Sequence, residues 1–359
     1  MVPAFFSKAM ILFNCDYSEG AHADILRRMA ETNMEQTAGY GEDPYCDQAR
    51  KLIAGLCGRT DLDIHFLIGG TQTNFTVIAA ALRPHQCVLC ADTGHINVHE
   101  SGAVEACGHK VSAIPSPDGK LTARQIEEAW HSHWDDETRE HMPQPRMVYI
   151  SQPTELGTIY SRKELQEISG VCRRRGLYLY MDGARLGYGL CDEDNDLDLP
   201  AIASLCDAFY IGGTKVGALF GEALVLRHEA LKEDFRYIAK QKGGRLVVGD
   251  QDDRMPLGIQ FLELFRDGLY FRLGAHADRL AVMLRDFCRS RGLALPFSSG
   301  TNQQFVTMPD SVLEELGRKY GFAYLRREDE THSTVRFCTS WATREEDVRE
   351  LMADIARLC

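Results

Sequence analysis

The 359-residue sequence has no long hydrophobic run, so a membrane span is not expected. No stretch approaches the roughly 18 consecutive apolar residues that a membrane-spanning helix needs. The opening segment MVPAFFSKAM lacks the basic stretch and sustained apolar region that mark a secretory signal. We therefore expect a cytoplasmic protein.

The sequence also lacks an excess of positive charge. It carries 52 acidic and 40 basic residues, for a formal net charge of −12 at pH 7. Nucleic acids and anionic membranes are therefore not expected as partners. An anionic ligand would have to be held by local groups and not by the overall field.

A pattern of metal-binding residues is missing as well. Cys87 and Cys90 form the single CxxC pair, its spacer is apolar, and no second pair completes a tetrahedral zinc set. We expect no bound metal, and we favour buried strand cysteines over a metal or redox role. The twelve cysteines are interpreted as reduced thiols, several of them in apolar runs.

Between about Asp43 and Arg227, short apolar runs alternate with longer amphipathic stretches. This alternation is typical of an α/β fold in which helices cover both faces of a mostly parallel sheet. Predicted helices include Thr122–His133 and Ser161–Arg175, which both open with capping-box spacing, and Thr73–Leu82. The predicted strands are Ile64–Ile68, Cys87–Ala91, Lys110–Ile114, Met147–Ser151, Leu177–Asp182, Asp207–Ile211 and Ala223–Leu226.

The pattern changes after Gly243-Gly244, where we predict a smaller α+β domain. We divide the chain into an N-terminal segment 1–20, expected to pack with the small domain, a large domain 21–245 and a small domain 246–359. The charge-rich stretch His131–His141 is expected to be a solvated loop. The elements predicted in the small domain are helices Pro256–Phe271, Gly274–Arg291 and Thr343–Leu358, and strands Gln304–Met308 and Val335–Thr339.

The segment Ile68–Asn74 (IGGTQTN) follows a predicted strand and opens a helix. Its glycines allow backbone N–H groups to approach an anion, and the helix N-terminus adds a positive dipole. The segment is neither a Walker loop nor GxGxxG. A tight turn without a ligand is therefore an equally good interpretation.

Two later strands end at candidate functional residues. Asp182 ends an apolar strand at the edge where open α/β sheets bind ligands; it would face a cation such as a pyridinium nitrogen, or form a structural pair with Arg185. Lys215 lies among small and apolar residues, where desolvation lowers the pKa of an amine and suits it to form a Schiff base. A surface lysine is the alternative.

Taken in this order, the glycine-rich segment, Asp182 and Lys215 match the three functional parts of pyridoxal phosphate (PLP), which are its phosphate, its ring nitrogen and its aldehyde.

Together these motifs resemble the fold type I PLP enzymes of the aspartate aminotransferase superfamily, and within them the low-specificity threonine aldolases and their β-eliminating relatives. The resemblance implies a mostly parallel seven-stranded sheet flanked by helices, with a smaller α+β domain. It also implies a homodimer or homotetramer with active sites at the subunit interface. The motifs that carry it are Cys15–Gly20, Gly39–Asp43, Gly69–Asn74, Met181–Arg185, Gly213–Gly217 and Val335–Ser340.

The resemblance implies a role for each matching residue in binding the cofactor. Lys215 would form the Schiff base, His95 would stack on the pyridine ring, and Asp182 would pair with the ring nitrogen. Lys242 and Arg245 would form a basic turn that contacts phosphate. The implied cofactor-binding residues are Gly70, Thr71, His95, Asp182, Arg185, Lys215, Lys242 and Arg245.

For the substrate, the resemblance implies that Arg336 binds the α-carboxylate as a bidentate fork. Arg185 would reach that carboxylate or the cofactor 3′-oxygen. Many relatives have a serine where this chain has Cys15, and Ser18 is a candidate replacement. Some threonine aldolases carry a histidine where this chain reads QPTE, so Glu155 is a candidate general base if burial raises its pKa; a surface carboxylate is the alternative.

The implied reaction is the cleavage of a β-hydroxy-α-amino acid of the threonine or allo-threonine type to glycine and an aldehyde. Three other reactions remain open on the same scaffold, namely β-elimination, racemisation and transamination. A catalytically silent binding protein is a further alternative, but such a protein would be expected to have lost the lysine that this chain retains at Lys215.

Overall fold

The computed structural model describes residues 10–244 and 256–359. Its strands form a seven-stranded sheet, a three-stranded sheet and a two-stranded pair. The strands are β1 (Ile11–Leu12), β2 (Asp63–Leu67), β3 (Gln86–Ala91), β4 (Lys110–Ile114), β5 (Gln144–Ser151), β6 (Tyr178–Asp182), β7 (Ala208–Gly212), β8 (Glu222–Leu226), β9 (Gln303–Pro309), β10 (Tyr320–Gly321), β11 (Ala323–Arg327) and β12 (His332–Cys338).

The large sheet has the strand order β2-β8-β7-β6-β5-β3-β4. The pairs among β3 to β7 are parallel, and β8 runs antiparallel to both of its neighbours. The prediction of a mostly parallel sheet of seven strands is confirmed. One strand, β5, begins earlier than predicted because Gln144 pairs with Gln86 of β3, side chain to side chain as well as along the backbone.

Helices connect these strands and cover the sheet. Both predicted capping boxes are present, at Thr122 with Gln125 and at Ser161 with Glu164. The helices are α1 (Ala23–Glu31), α2 (Pro44–Leu56), α3 (Gly70–Ala81), α4 (His95–Val98), α5 (Ala103–Ala106), α6 (Ala123–Trp134), α7 (Arg162–Arg175), α8 (Leu186–Cys191), α9 (Leu199–Leu205), α10 (Glu229–Lys232), α11 (Phe235–Gln241), α12 (Pro256–Arg266), α13 (Leu269–Ser290), α14 (Asp310–Gly317) and α15 (Glu345–Leu358).

The expectation of a solvated loop from His131 to His141 is wrong over its first residues. Helix α6 continues to Trp134, and a short 3-10 helix spans Arg139–His141. The extension is explained by packing, since Arg175 stacks on Trp130 and the Trp130 ring lies 5.7 Å from that of Trp134.

Alternate residues of the central strands face two separate cores. In β6, Leu179 and Met181 belong to one core and Tyr180 to the other. This alternation follows from the pleat of a strand, and apolar residues on both faces are expected where helices cover both sides. Charged residues of the sheet are therefore expected mainly at the strand ends.

The C-terminal part has its own core around an antiparallel sheet of order β11-β12-β9. The N-terminal strand β1 pairs in parallel with β10, and Phe13 is fully buried in this core. Helix α13 crosses between the cores, because Leu273 packs in the core beneath the large sheet and Leu284 packs in the C-terminal core. The helical conformation is interrupted between α12 and α13 at Gly268, whose φ is +68°.

All twelve cysteines lie in the described part of the chain, and each is a free thiol. No helix among residues 10–244 and 256–359 has the length and apolar character needed to cross a membrane. Within the same residues, no group of three or more His, Cys, Asp and Glu side chains is arranged to hold a metal ion.

Candidate active site

The site is built around Asp182, the last residue of β6. Its carboxylate is buried and accepts four hydrogen bonds. Tyr149 and Asn74 donate to Oδ2 at 2.6 and 3.0 Å. Tyr210 and the backbone N–H of Ala184 donate to Oδ1 at 2.5 and 2.9 Å. A carboxylate satisfied in this way is fixed in position and ready to face a cation.

Burial by itself would raise the pKa of the Asp182 carboxyl. The nearby His95 and the hydrogen bonds from Tyr149 and Tyr210 outweigh burial, so the pKa is lowered from its ordinary value. Asp182 is therefore an anion within the protein interior.

The register of the central strands brings the tyrosines to this carboxylate. Tyr149 of β5 pairs with Tyr180 of β6, and Ser151 pairs with Asp182 itself. Tyr180 donates to the side-chain oxygen of Asn74 at 2.8 Å, and Asn74 in turn donates to Asp182. Helix α3 is thus tied to the sheet through one buried amide.

His95 begins the short helix α4 beside the same carboxylate. Its Nδ1 lies 2.7 Å from Oε1 of the buried Glu100, and its backbone N–H donates to Oε1 of Glu155 at 3.0 Å. Burial alone would lower the pKa of the His95 imidazole, but the Glu100 hydrogen bond and the charge of Asp182 raise it. The ring is therefore held by its partners at the position where the sequence predicts stacking on a cofactor.

Glu155 contacts the start of α4. Its Oε1 accepts from the backbone of His95 and from the Ser151 hydroxyl, the latter at 2.8 Å. Burial raises the pKa of Glu155, and the negative charge of Asp182 raises it further. The raised pKa is in the direction expected for a general base, but the carboxyl is already used to anchor α4.

Lys215 lies in the turn that follows β7. Buried Glu222 accepts from the Gly213 N–H and from the Thr214 hydroxyl, and Tyr188 donates to the carbonyl of Lys215. Hydrogen bonds therefore fix the backbone at Lys215 and in the two residues before it. The side chain is half-buried, and its Nζ lies 5.9 Å from the centre of the Tyr17 ring.

Burial and the adjacent Arg185 lower the pKa of the Lys215 amine, while Asp16 and Asp182 oppose them. The net shift is downward, as the sequence predicts for an amine that must act as a nucleophile. Charges of both signs at the sheet edge therefore act on the pKa of this lysine.

Arg185 forms a bidentate pair with Asp16, with Nε and Nη2 at 2.7 and 3.0 Å from its two oxygens. Asn302 of the C-terminal part donates to the same carboxylate at 2.9 Å. Burial alone would raise the pKa of Asp16, but Arg185, Lys215 and these hydrogen bonds lower it. Asp16 is thus an ionised centre that contacts both parts of the molecule.

Arg336 of β12 faces the same region. Its Nη1 donates to the Gln303 side chain at 2.9 Å, and its Nη2 donates to the Asn14 carbonyl at 3.1 Å. Its Nε is buried and has no hydrogen-bond partner within residues 10–244 and 256–359. A buried, unpaired guanidinium N–H is a place for an anionic ligand group.

The helix α3 begins at Gly70, three residues before the predicted start, with no side-chain cap from Gly69. The first N–H groups of an α-helix have no partner within the helix, so this open end can receive an anion. A β-carbon on Gly70 would lie 3.1 Å from the Tyr210 hydroxyl, which bonds Asp182. Thr71 lies in this first turn.

The predicted basic turn is only partly described. The carbonyl of Lys242 accepts from Gln72 of α3 at 3.1 Å, which places the turn beside the open helix end, and the Lys242 amine lies 3.4 Å from the Cys107 thiol. Arg245 lies outside the described residues. Ser18 is exposed, and its hydroxyl is 3.2 Å from the Cys15 thiol.

The residues gathered at this sheet edge have the chemistry to hold a ligand with a phosphate, a cationic ring nitrogen and a carbonyl group. The phosphate would meet the open end of α3, the ring nitrogen would face the ionised Asp182, and the carbonyl would meet the Lys215 amine. A carboxylate on a second ligand would meet Arg336. Each of these groups finds a partner that the fold already holds in position.

Several residues around Asp182 are not predicted from the sequence. Tyr149 and Tyr210 lie within predicted apolar strands, where a tyrosine resembles a core residue, and Asp16 belongs to the motif Cys15–Gly20 without an assigned role. Asn74, at the end of the glycine-rich segment, offered the clearest signal, since it lies one helical turn after Gly70 on the same helix face.

Comparisons with known proteins identify relatives of this chain. The model of a family described as beta-eliminating lyase matches residues 15–307. A low-specificity L-threonine aldolase from a Pseudomonas species is 32% identical over 359 residues and covers 96% of each chain. A protein of the same description from Pseudomonas aeruginosa is 32% identical over 348 residues, again covering 96% of each chain.

A solved structure described as Leishmania major threonine aldolase is 43% identical, with a TM-score of 0.92, and covers 97% of this chain and 99% of its own. An aspartate aminotransferase from Thermus thermophilus has a TM-score of 0.68 at 13% identity, over 98% of this chain and 92% of its own. The latter likeness concerns the fold alone, which is the α/β fold expected from the sequence.

Proposed function

This chain belongs to the beta-eliminating lyase family, and on that premise we propose that it is a PLP-dependent aldolase that cleaves β-hydroxy-α-amino acids to glycine and an aldehyde. The substrates are of the threonine or allo-threonine type. Relatives described as threonine aldolases match nearly the whole chain, which supports this reaction over the others available to the scaffold.

The observation that carries the proposal is the buried, ionised carboxylate of Asp182 at the same sheet edge as the Lys215 amine. Burying an anion is costly unless a cation faces it. The pyridinium nitrogen of PLP is such a cation, and bound PLP supplies an electron sink for the bond broken at the substrate α-carbon. We assign Asp182 to the ring nitrogen and Lys215 to the cofactor aldehyde.

The remaining cofactor contacts follow from the same placement. Gly70 and Thr71 at the open end of α3 would hold the phosphate, with Lys242 and Arg245 beside it. His95 would lie against the ring, oriented by Glu100. The role proposed for Glu155 is to fix the backbone of His95, since its Oε1 accepts that N–H.

Substrate binding is assigned to the arginines. The unpaired Nε of Arg336 would bind the substrate carboxylate. Arg185, which is paired with Asp16, would contact the same carboxylate or the cofactor 3′-oxygen. Ser18 is the remaining candidate near this end of the pocket. Holding the carboxylate orients the bond to be broken, which determines which product forms.

We also propose the division into segment 1–20, large domain 21–245 and small domain 246–359. The separate core of the C-terminal part supports it, although the boundary itself lies outside the described residues. A homodimer or homotetramer with active sites at the subunit interface remains part of the proposal. Light scattering of the purified protein tests it, and a monomeric mass would contradict it.

Incubation of the purified full-length protein with PLP and a panel of β-hydroxy amino acids and serine tests the function. We expect visible absorbance that is lost on borohydride treatment, and glycine with the matching aldehyde as products. Lys215→Ala should abolish both, because no amine remains to hold the cofactor. Lys163→Ala is the matched control, since that lysine side chain is 86% exposed. Pyruvate and ammonia from serine as the main products would contradict the aldolase assignment.

A further inference from the structure

His99 lies one helical turn after His95, at the C-terminal end of α4. Its backbone N–H donates to the His95 carbonyl at 2.9 Å, and the two ring centres are 5.6 Å apart. Residues four apart on a helix share a face. The ring of His99 therefore lies beside the ring proposed to cover the cofactor, at the exposed side of the pocket.

The charged groups around His99 are those of the proposed active site. Burial lowers the pKa of the His99 imidazole, and the nearby His95, Arg336, Arg185 and Lys215 lower it further. These groups come from α4, β12, the end of β6 and the turn after β7. The lowered pKa favours the neutral imidazole at neutral pH, and the charged groups that lower it are those proposed to hold the cofactor and the substrate.

The ring nitrogens of His99 have no hydrogen-bond partner in the described part of the chain. Two other candidate acceptors nearby are held by contacts: Oε1 of Glu155 accepts two hydrogen bonds, and the His95 ring is paired through Nδ1 with Glu100, which raises the pKa of His95. A general base must have an available lone pair within reach of the proton. His99 differs from both in that its ring makes no hydrogen bond among the described residues, so neither of its nitrogens is committed to a partner.

We propose that His99 is the catalytic base that removes the β-hydroxyl proton of the substrate, an inference that rests on the proposed function. The proton moves from the hydroxyl oxygen to an imidazole nitrogen, and the O–H electron pair forms the carbonyl bond of the aldehyde. The Cα–Cβ bond breaks, and its electron pair stays with the α-carbon fragment. That fragment gains a proton and leaves as glycine, and His99 returns its own proton to solvent.

The test separates this step from the rest of the site. Exchange of the glycine α-proton with D₂O, followed by NMR, needs the cofactor, Lys215 and the carboxylate site but no β-hydroxyl. In His99→Asn we expect kcat for threonine cleavage to fall about 100-fold or more, as for loss of a general base, while glycine exchange changes less than about threefold. His141→Asn, an exposed histidine of the 3-10 helix, is the control.

A third readout requires no turnover. The His99 ring resonance, assigned by its absence from His99→Asn, should titrate below the ordinary value of 6.5. Because the imidazolium cannot accept a proton, the acid limb of the wild-type kcat/KM profile should follow this pKa and be absent from the variant.

Three results would overturn the inference. Cleavage retained within about threefold in His99→Asn would remove its catalytic role, and equal loss of cleavage and exchange would make the role structural. Selective loss of cleavage in Glu155→Gln, with His99→Asn active, would move the base to Glu155. Wild-type protein that exchanges glycine but cleaves no β-hydroxy amino acid would instead refute the proposed function.

Discussion

At the residue scale, Glu222 is the most unusual group outside the proposed reaction. It opens β8, is 3% exposed, and accepts hydrogen bonds from Gly213 and Thr214 directly before Lys215. Burial raises the pKa of Glu222 to about 8, although these hydrogen bonds and the Lys215 charge oppose the shift. The turn that presents the lysine is therefore held by a carboxyl group that is largely protonated at neutral pH.

This raised pKa makes stability depend on pH. The folded pKa lies above the unfolded value, so the contribution of Glu222 is fully present below the unfolded pKa and is lost as the pH rises through about 8. In Glu222→Gln we expect the free energy of unfolding at pH 9 to exceed that of wild type by about 1–3 kcal/mol, with a smaller difference at pH 5. Urea denaturation of the cofactor-free protein measures this.

The control is Glu314→Gln, whose side chain is 78% exposed. It should leave the pH dependence unchanged, because an exposed carboxyl has similar surroundings in the folded and unfolded chain. Parallel pH profiles for wild type and Glu222→Gln would contradict the assignment.

Residues whose chemistry differs from that of their surroundings can be predicted from the sequence. Asp182 and Lys215 were found because a charge among apolar or small residues requires a reason. Tyr149 and Tyr210 could not be found in this way, since a tyrosine in a strand looks like core until the register shows where its hydroxyl lies. Asp16 was missed for a similar reason, because its partners Arg185 and Asn302 are distant in sequence.

At the scale of elements, the strands were easier to predict than the packing between helices. An apolar run of strand length identifies a buried strand, and all seven runs are strands of the large sheet. The contact between α8 and α13 cannot be predicted in this way, because no pattern in the sequence indicates which helices pack together. There the β-carbon of a residue replacing Gly274 would lie 2.6 Å from the Gly187 carbonyl oxygen, so the two helix backbones touch.

We therefore expect Gly274→Ala to lower the free energy of unfolding by about 1–3 kcal/mol, because the helices must move apart. Gly55→Ala in α2 is the matched control, since nothing lies within 4 Å of its added methyl group. It should leave stability unchanged or raise it by up to about 1 kcal/mol. Thermal and urea unfolding measure both variants; equal effects would contradict a close helix contact.

At the scale of the whole molecule, Asp16 connects the sheet edge to the C-terminal part. It pairs with Arg185 after β6 and accepts from Asn302 just before β9. The segment that carries it also contacts Arg336 through the Asn14 carbonyl. The relative position of the two cores therefore depends on one buried carboxylate as well as on helix α13.

Asp16→Asn should lower the free energy of unfolding by about 3–5 kcal/mol, because it leaves the Arg185 charge buried without its partner. Asp24→Asn removes one side of a more exposed ion pair with Arg27, which is 2.8 Å long, and should cost less than about 1 kcal/mol. Urea denaturation with fluorescence and circular dichroism compares the variants. A loss for Asp16→Asn no larger than that of the control would show that Asp16 does not join the two parts.

The parallel pairing of β1 with β10 has a consequence for how the chain folds. Ile11 pairs with Tyr320, and Asp16 accepts a hydrogen bond from Asn302, so residues near the N-terminus contact residues far along the chain. Closing so long a loop carries an entropic cost and slows folding. During synthesis the large sheet can form early, but the carboxylate that faces Arg185 gains its second partner only after Asn302 has left the ribosome. The contacts around Asp16 are therefore completed late in folding, and a chain that ended before Asn302 would leave this carboxylate without one of its partners.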